Sequence, residues 1–231
     1  MEAVILAGGL GTRLRAVVPD LPKPMAPVNG KPFLEYQMGY WIAQGIERIV
    51  LSIGYKKETI SKHFGQRFLG AELVYAEEER LLGTGGALLH AATYLDTDAN
   101  FLALNGDTYF EVSLAELDSV HGVADADMTL ALRQLDVNDR YSGVRLGANS
   151  EIVEFQRRDE PVREPLVNGG VYLVNRRVLR ELSPQRPLSL EDDVLPDLLQ
   201  RGKRIFGHVV SGSFLDIGLP EDYRRAETVL T

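Results

Sequence analysis

Gly8, Gly9 and Gly11, with Arg13 two positions on and Lys23 between two prolines, are the densest collection of chemically useful residues in the chain. Glycines lack a Cβ, so a loop built from them can take positive φ and bring its backbone N–H groups close to an anion. Arg13 adds a planar, permanently charged donor fork and Lys23 a compact positive charge, both suited to phosphate. Two familiar phosphate loops do not fit. No Lys-Ser or Lys-Thr pair follows the glycines, as an ATP-binding loop would need. The spacing Gly-Gly-x-Gly-Thr-Arg also departs from the dinucleotide fingerprint Gly-x-Gly-x-x-Gly.

The elements that must hold these residues follow from periodicity. Val4-Ile5-Leu6 is a short apolar run ended by glycine, the mark of a buried strand. Leu34, Met38, Trp41 and Ile42 share one helical face, stopped by Gly45. Strands are expected at 48–53, 73–76 and 101–104, with helices at 58–64 and 87–95 between them. The fourth strand ends at Asn105-Gly106-Asp107. This alternation implies parallel strands with helices on both faces and ligands at the carboxyl ends of the strands, where the glycine loop and Asp107 both fall. Further strands are expected at 128–134, 142–146, 151–156, 167–174, 204–210 and 214–217. Ser113 and Ser189 have the form of helix caps, Pro196 must bend or end the second of those helices, and Pro220 opens a last one. The expected fold is an α/β, Rossmann-like, mostly parallel mixed sheet. No linker or repeat divides residues 1–231, which read as one domain: a nucleotide-binding half at 1–107 and a second half at 108–231.

Composition narrows the function. The 231 residues are 45% hydrophobic and 25% charged, ordinary for a soluble globular protein. A net charge of −8 argues against a nucleic-acid binder and requires a phosphate site to be locally basic on an acidic background. Zero cysteines exclude disulfides and thiolate metal sites. The absence of a leader or a spanning apolar run points to a cytoplasmic enzyme with no membrane partner. Nothing in the chain reads as a dimerisation motif. The four histidines lack metal-ligand spacing.

Gly8-Gly-Leu-Gly-Thr-Arg-Leu14 with Pro22-Lys-Pro24 resembles the signature of the sugar-1-phosphate nucleotidylyltransferases. Leu82-Gly-Thr84, Asn105-Gly-Asp107, Arg140-Tyr141 with Gly143-Val144, Asn168-Gly-Gly-Val-Tyr172 and Phe214-Leu-Asp-Ile-Gly218 resemble further family elements, in the family's order and across nearly the whole chain. Within the family, the compact length, Asn168-Gly-Gly170 and Asp216-Ile-Gly218-Leu-Pro220 are most similar to the branch that guanylylates D-glycero-α-D-manno-heptose 1-phosphate. The resemblance implies the nucleotide-diphospho-sugar transferase fold. It also implies attack of a sugar 1-phosphate on the α-phosphorus of a nucleoside triphosphate, GTP on the narrower match, with loss of pyrophosphate. Mannose- or glucose-1-phosphate with another base is the alternative, and a non-catalytic sugar-nucleotide-binding relative is a second.

The resemblance also distributes roles. The backbone of Leu6, Ala7, Gly8, Gly9, Gly11 and Thr12 is expected to cradle the triphosphate, with Arg13 on the departing pyrophosphate and Lys23 on the α-phosphate. Asp107 and Asp216 are expected to hold Mg²⁺. Gly83 and Thr84 either meet the base or form a plain helix N-terminus. Of the acidic run Glu77-Glu-Glu79, read mainly as a solvated strand end, one member could reach ribose or base. Tyr141, Gly143, Arg158, Asn168 and Gly169 are expected around the sugar phosphate. One departure stands out: the family usually follows its Ile-Val-x-Phe strand with a Glu-Lys pair, and here Ile152-Val-Glu-Phe155 runs into Gln156-Arg157-Arg158-Asp159. Arg158 can replace the lysine as a phosphate ligand, but Arg157 can only donate and cannot replace a glutamate acceptor. Glu154, Asp159 or a shifted register is then left to meet the sugar hydroxyls.

Overall fold

The computed structural model describes residues 1–11, 14, 17–135, 143–156, 165–182, 186–218 and 220–230. The chain begins with β1 (Glu2–Leu6), a short 3₁₀ turn at Lys23–Met25, and the small hairpin β2 (Pro27–Val28) and β3 (Lys31–Pro32). Then follow α1 (Phe33–Ile42), β4 (Arg48–Ile53), α2 (Lys57–Phe64), β5 (Arg67–Phe68), β6 (Ala71–Glu77), α3 (Gly83–Ala92) and β7 (Asn100–Asn105). The second half carries β8 (Thr108–Phe110), α4 (Leu114–Val123), β9 (Met128–Gln134), β10 (Val144–Leu146), β11 (Ile152–Phe155) and β12 (Leu166–Asn175). It continues with α5 (Arg176–Leu179), a π-helical turn at Leu190–Val194, α6 (Leu195–Gln200), β13 (Ile205–Val209), β14 (Phe214–Asp216) and α7 (Pro220–Val229).

Among the described residues the central sheet has eight strands in the order β13-β9-β12-β7-β1-β4-β6-β5. β7, β1, β4 and β6 run parallel, while β12 is antiparallel to both its neighbours and β5 turns back on β6. The sheet is thus mixed but mostly parallel, as expected. β1 shows the period-2 logic directly: Ala3 and Ile5 pack with α1 and α2, whereas Val4 packs with α3 on the other face. Both faces are covered, which explains why strands such as Arg48–Ile53 are buried along nearly their whole length.

Local chemistry behaves as its residue types dictate. Gly65 ends α2 at φ 62°, a conformation that strains any residue with a Cβ. Ser113 accepts a hydrogen bond from the Glu116 amide at the start of α4. Ser189 likewise accepts from the Asp192 amide, but the turn it caps is π-helical and gives way to α6 with Pro196 in its first turn. α3 starts four residues earlier than the apolar pattern suggests, at Gly83, and ends at Ala92. The helix N-terminus therefore lies at the glycines themselves.

A third apolar cluster ties the chain's two ends together. Leu14, Ala26, Val28 and Phe33 pack against Leu215, Ile217, Ala226 and Leu230. Asn29 Nδ2 donates to the carbonyls of Leu230 (2.6 Å) and Glu227 (3.0 Å), capping the carboxyl end of α7. Burying side chains the size of Leu215 and Ile217 contributes about 1.5–3 kcal/mol each, and these two flank Asp216.

Candidate active site

A cavity of about 590 Å³ opens at the carboxyl ends of β1, β6 and β7. Leu6, Ala7, Gly8, Gly9, Gly11, Lys23, Gly83, Thr84, Asp107, Asn168 and Asp216 all border it. Thr12, Arg13, Tyr141 and Arg158 lie outside the described residues, as do Arg157 and Asp159. Gly143 and Gly169 are described and do not line the cavity. Gly143 is instead paired with Val167, and its carbonyl accepts the Gln156 amide at 2.8 Å. Gly169 is required by packing, because a Cβ there would lie 2.5 Å from the Phe110 ring. Its neighbour Gly170 takes the cavity position, with φ +71° and the Asn105 side chain 2.9 Å from where a Cβ would be.

The cationic centre is assembled from three distant segments. Lys23 Nζ lies 2.5 Å from Asp107 Oδ2 and 3.8 Å from Asp216 Oδ1. Asp107 follows directly on β7, where Gly106 must be glycine because a Cβ would sit 2.5 Å from the Leu6 carbonyl of β1. Asp216 arrives through the pairing of β14 with β8, which sets it opposite Thr108, and the Ile217 amide donates to the Asp107 carbonyl at 3.0 Å. Buried Gln37 of α1 braces the intervening turn, its Nε2 donating to the carbonyls of Asn105 (2.8 Å) and Thr108 (2.6 Å). Gly218 completes the corner: its amide donates to Asp216 Oδ1 at 2.7 Å, and a Cβ would lie 2.9 Å from Lys23 Nζ. On the loop side, Gly11 takes φ +58°, and a Cβ there would lie 3.0 Å from Lys23 Cβ.

Electrostatics follow from this packing. Burial pushes the Asp107 carboxyl up, but the charge and hydrogen bond of Lys23 outweigh it and hold the group below the usual carboxylate range. Two carboxylates thus converge on one positive charge, bordering a cavity rimmed by a glycine loop. Among the described residues, no three or more His, Cys, Asp or Glu side chains gather as in an all-protein metal cage. Two carboxylates suit Mg²⁺, a hard cation that keeps waters and takes its remaining ligands from substrate phosphates.

The glycine loop is narrower as a donor set than expected. The Ala7 amide donates to the Ser52 carbonyl at 2.8 Å, extending the β1–β4 pairing, so amides offered to a polyanion start beyond it. Gly83 and Thr84 also serve a packing junction. A Cβ at Gly83, which has φ +72°, would fall 2.3 Å from the Leu188 carbonyl, and Thr84 Oγ1 accepts the Leu190 amide at 2.7 Å. Both residues border the cavity while joining α3 to the segment that precedes the π-helical turn.

The sequence reading allowed one member of the acidic run to reach the site without choosing it, and did not single out Asn105 or Glu191 as site residues. Glu78, central in the acidic run, is the member that turns into the cavity: its Oε1 accepts from buried Ser52 Oγ at 3.1 Å, and its Oε2 accepts the Leu82 amide at 3.3 Å. Its signal was position, at the carboxyl end of β6, rather than charge. Asn105 and Glu191 line the cavity as well, Asn105 Nδ2 donating to Glu191 Oε1 at 3.3 Å. Glu154, one of the alternatives for the sugar hydroxyls, pairs with Arg145 at 2.7 Å and does not line the cavity.

A family model described as nucleotidyl transferase matches residues 2–231, practically the entire chain. The chain belongs to the nucleotidyl transferase family. The D-glycero-α-D-manno-heptose 1-phosphate guanylyltransferase of Aneurinibacillus thermoaerophilus is 42% identical over 231 residues, covering 100% of this chain and 98% of the relative. The mannose-1-phosphate guanylyltransferase of Mycobacterium tuberculosis is 34% identical, covering 100% of this chain but 64% of the relative. Among solved structures, HddC from Yersinia pseudotuberculosis complexed with GMP-PN superposes with a TM-score of 0.85 at 32% identity, covering 100% of this chain and 99% of HddC. As a nucleotidyl transferase the protein is an enzyme, and it shares its fold with HddC.

Proposed function

We propose that this nucleotidyl transferase moves the guanylyl group of GTP to D-glycero-α-D-manno-heptose 1-phosphate, releasing pyrophosphate and giving GDP-heptose. One observation carries the chemistry: Asp107, from mid-chain, and Asp216, from near the carboxyl end, meet on Lys23 beside the glycine loop. The choice of substrates is supported by the full-length likeness to a heptose 1-phosphate guanylyltransferase and by the fit to HddC, solved with GMP-PN.

The sugar phosphate is already mostly ionised at neutral pH. The enzyme therefore needs to position two polyanions in line and neutralise their charge, with no strong general base. Lys23 meets the α-phosphate as negative charge develops there, and Arg13 is assigned to the departing pyrophosphate. Asp107 and Asp216 would hold Mg²⁺, which supplies charge neutralisation and a template for the phosphates when bound. Glu78 suits a guanine: a carboxylate only accepts, and the guanine edge presents two adjacent donors, N1–H and the 2-amino group.

Residues 1–231 are read as one catalytic unit, with the nucleotide half at 1–107 and the sugar-phosphate half at 108–231. No helix among the described residues is long and apolar enough to cross a membrane. We place the enzyme in the cytoplasm, making an activated heptose for surface polysaccharide. The test is pyrophosphate release from each of the four common triphosphates with heptose-, mannose- and glucose-1-phosphate. Fastest turnover is expected for GTP with the heptose. Clear turnover by another pair and none by that one would overturn the substrate assignment and leave the reaction class standing.

A further inference from the structure

We infer that Glu191 is the carboxylate that accepts hydrogen bonds from the sugar's hydroxyls, doing the work that a donor-only Arg157 cannot do. The inference rests on the proposed transfer to a sugar 1-phosphate and names the group that recognises that substrate.

The cavity's other carboxylates have different surroundings. Glu78 stands against the glycine loop, within 2.2 Å of where a Cβ on Gly8 would lie. Asp107 and Asp216 face Lys23. Asp192 Oδ2 accepts from Ser189 Oγ at 3.0 Å, inside the N-terminal cap of the π-helical turn. Glu191 is half-buried and lines the cavity on the side of Asn105 and Asn168.

A directed chain of hydrogen bonds holds it there. Asn168 Oδ1 accepts the Gly170 amide at 3.0 Å, which turns the Asn168 Nδ2 toward the Tyr172 hydroxyl at 2.6 Å. Tyr172 then donates to Glu191 Oε1 at 3.4 Å, and Asn105 Nδ2 donates to the same oxygen at 3.3 Å. Both bonds to Glu191 are long for hydrogen bonds to a charged acceptor, which normally close to about 2.7–2.9 Å. Burial, and then the charge of Glu191, hold the Tyr172 phenol well above its usual range, so it remains a donor. The fold invests in this corner. Between Asn168 and Tyr172 the β12–β9 register slips, and this irregularity turns Asn168 into the cavity. The Leu190 amide, one residue before Glu191, is pinned to Thr84 Oγ1. A carboxylate carries about four lone-pair sites, so Glu191 has the capacity to accept from sugar hydroxyls besides the two donors on Oε1.

The test compares wild type, E191Q and E191D with GTP, Mg²⁺ and whichever of the three sugar 1-phosphates wild type turns over fastest. The KM of each substrate is measured separately, and a series of monodeoxy sugar 1-phosphates is run in parallel. E191Q is expected to raise the sugar-phosphate KM about 10- to 100-fold, to leave the GTP KM within about twofold, and to lose discrimination against one deoxy analogue that wild type rejects. E191D should recover part of the affinity. An unchanged sugar-phosphate KM, an equal rise in the GTP KM, or an unaltered deoxy profile would each overturn the inference while wild-type turnover upholds the function. Calorimetric binding of a non-hydrolysable GTP analogue reports whether E191Q is folded. Should it not be, the same measurements on E191D decide. Wild type that turns over no sugar 1-phosphate would overturn the functional proposal and this inference together.

Discussion

Lys23 and Arg48 each sit among carboxylates, at opposite ends of the same sheet. Arg48 begins β4, and its guanidinium meets Glu2 at 2.6 Å, Asp96 at 3.3 Å and Glu72 at 3.6 Å. Those partners are themselves engaged in structure. Glu2 also accepts the amides of Asp96 and Thr97 at 3.1 Å, so the cluster binds the turn after α3 to the start of β1. Around Lys23 the ties run differently: Asp107 and Asp216 reach the lysine from mid-chain and from near the carboxyl end, and border the cavity rimmed by the glycine loop. An arginine fork spread over several acceptors makes a joint, whereas a compact ammonium between two aspartates beside a glycine loop makes a site. Charge clustering alone does not distinguish them. The position on the sheet and the neighbouring glycines do.

The largest expected effect tests the site half of that contrast. Lys23→Met should lower kcat by about 10²–10³-fold, with the far-ultraviolet circular dichroism of the wild type retained. A variant within tenfold of wild type would reduce Lys23 to a structural role. Arg48→Met should do the opposite. Removing the charged donor from this half-buried cluster costs about 2 kcal/mol, or a fall in Tm of roughly 4–8 °C for a chain this size, while kcat stays within about twofold. Calorimetry beside steady-state kinetics would separate the two clusters, and a large kinetic loss in Arg48→Met would break the comparison.

Two finer tests follow. Gly218→Ala places a methyl 2.8 Å from Asp216 Oδ1 and 2.9 Å from Lys23 Nζ. The displaced charges should lower kcat about tenfold with little change in Tm; unaltered turnover would mean that the geometry at this corner is not needed. The smallest effect concerns pH. Burial raises the Glu2 carboxyl, but the Asp96 and Thr97 amides and Arg48 bring it below its ordinary value. A lowered folded value means stability that is complete above the unfolded glutamate value of about 4.3 and is lost as pH falls through the folded one. Glu2→Gln should therefore melt lower at neutral pH and lose less stability than wild type between about pH 4 and 2.

Much of this was legible in the residues. β9 spans 128–134 and α7 opens at Pro220, where the pattern places them. Ser113 caps α4 and Trp41 is buried in the core. These are local matters of periodicity, capping and proline, which near neighbours in sequence decide. The misses share the opposite character. The reversal of β12 between β7 and β9 has no local signature, because an antiparallel buried strand reads as the same apolar run as a parallel one. Gly169 and Gly143, assigned to the sugar phosphate, are taken up by packing and pairing, and Glu154 by Arg145.

The sequence by itself determined the reagents: a glycine loop able to approach an anion, a lysine fixed between prolines, and aspartates placed at strand ends. Those follow from side-chain chemistry and backbone freedom, which each residue carries with it. Only the tertiary structure decided which carboxylates serve the cavity. Asp216 reaches Lys23 because β14 pairs with β8 and because Leu215 and Ile217 are buried against residues near the opposite end of the chain. Glu78 and Glu191 enter the cavity, and Glu154 does not, because strand direction and helix docking set where a side chain points. A carboxylate's identity is written in one residue; its partners are a property of the packed core.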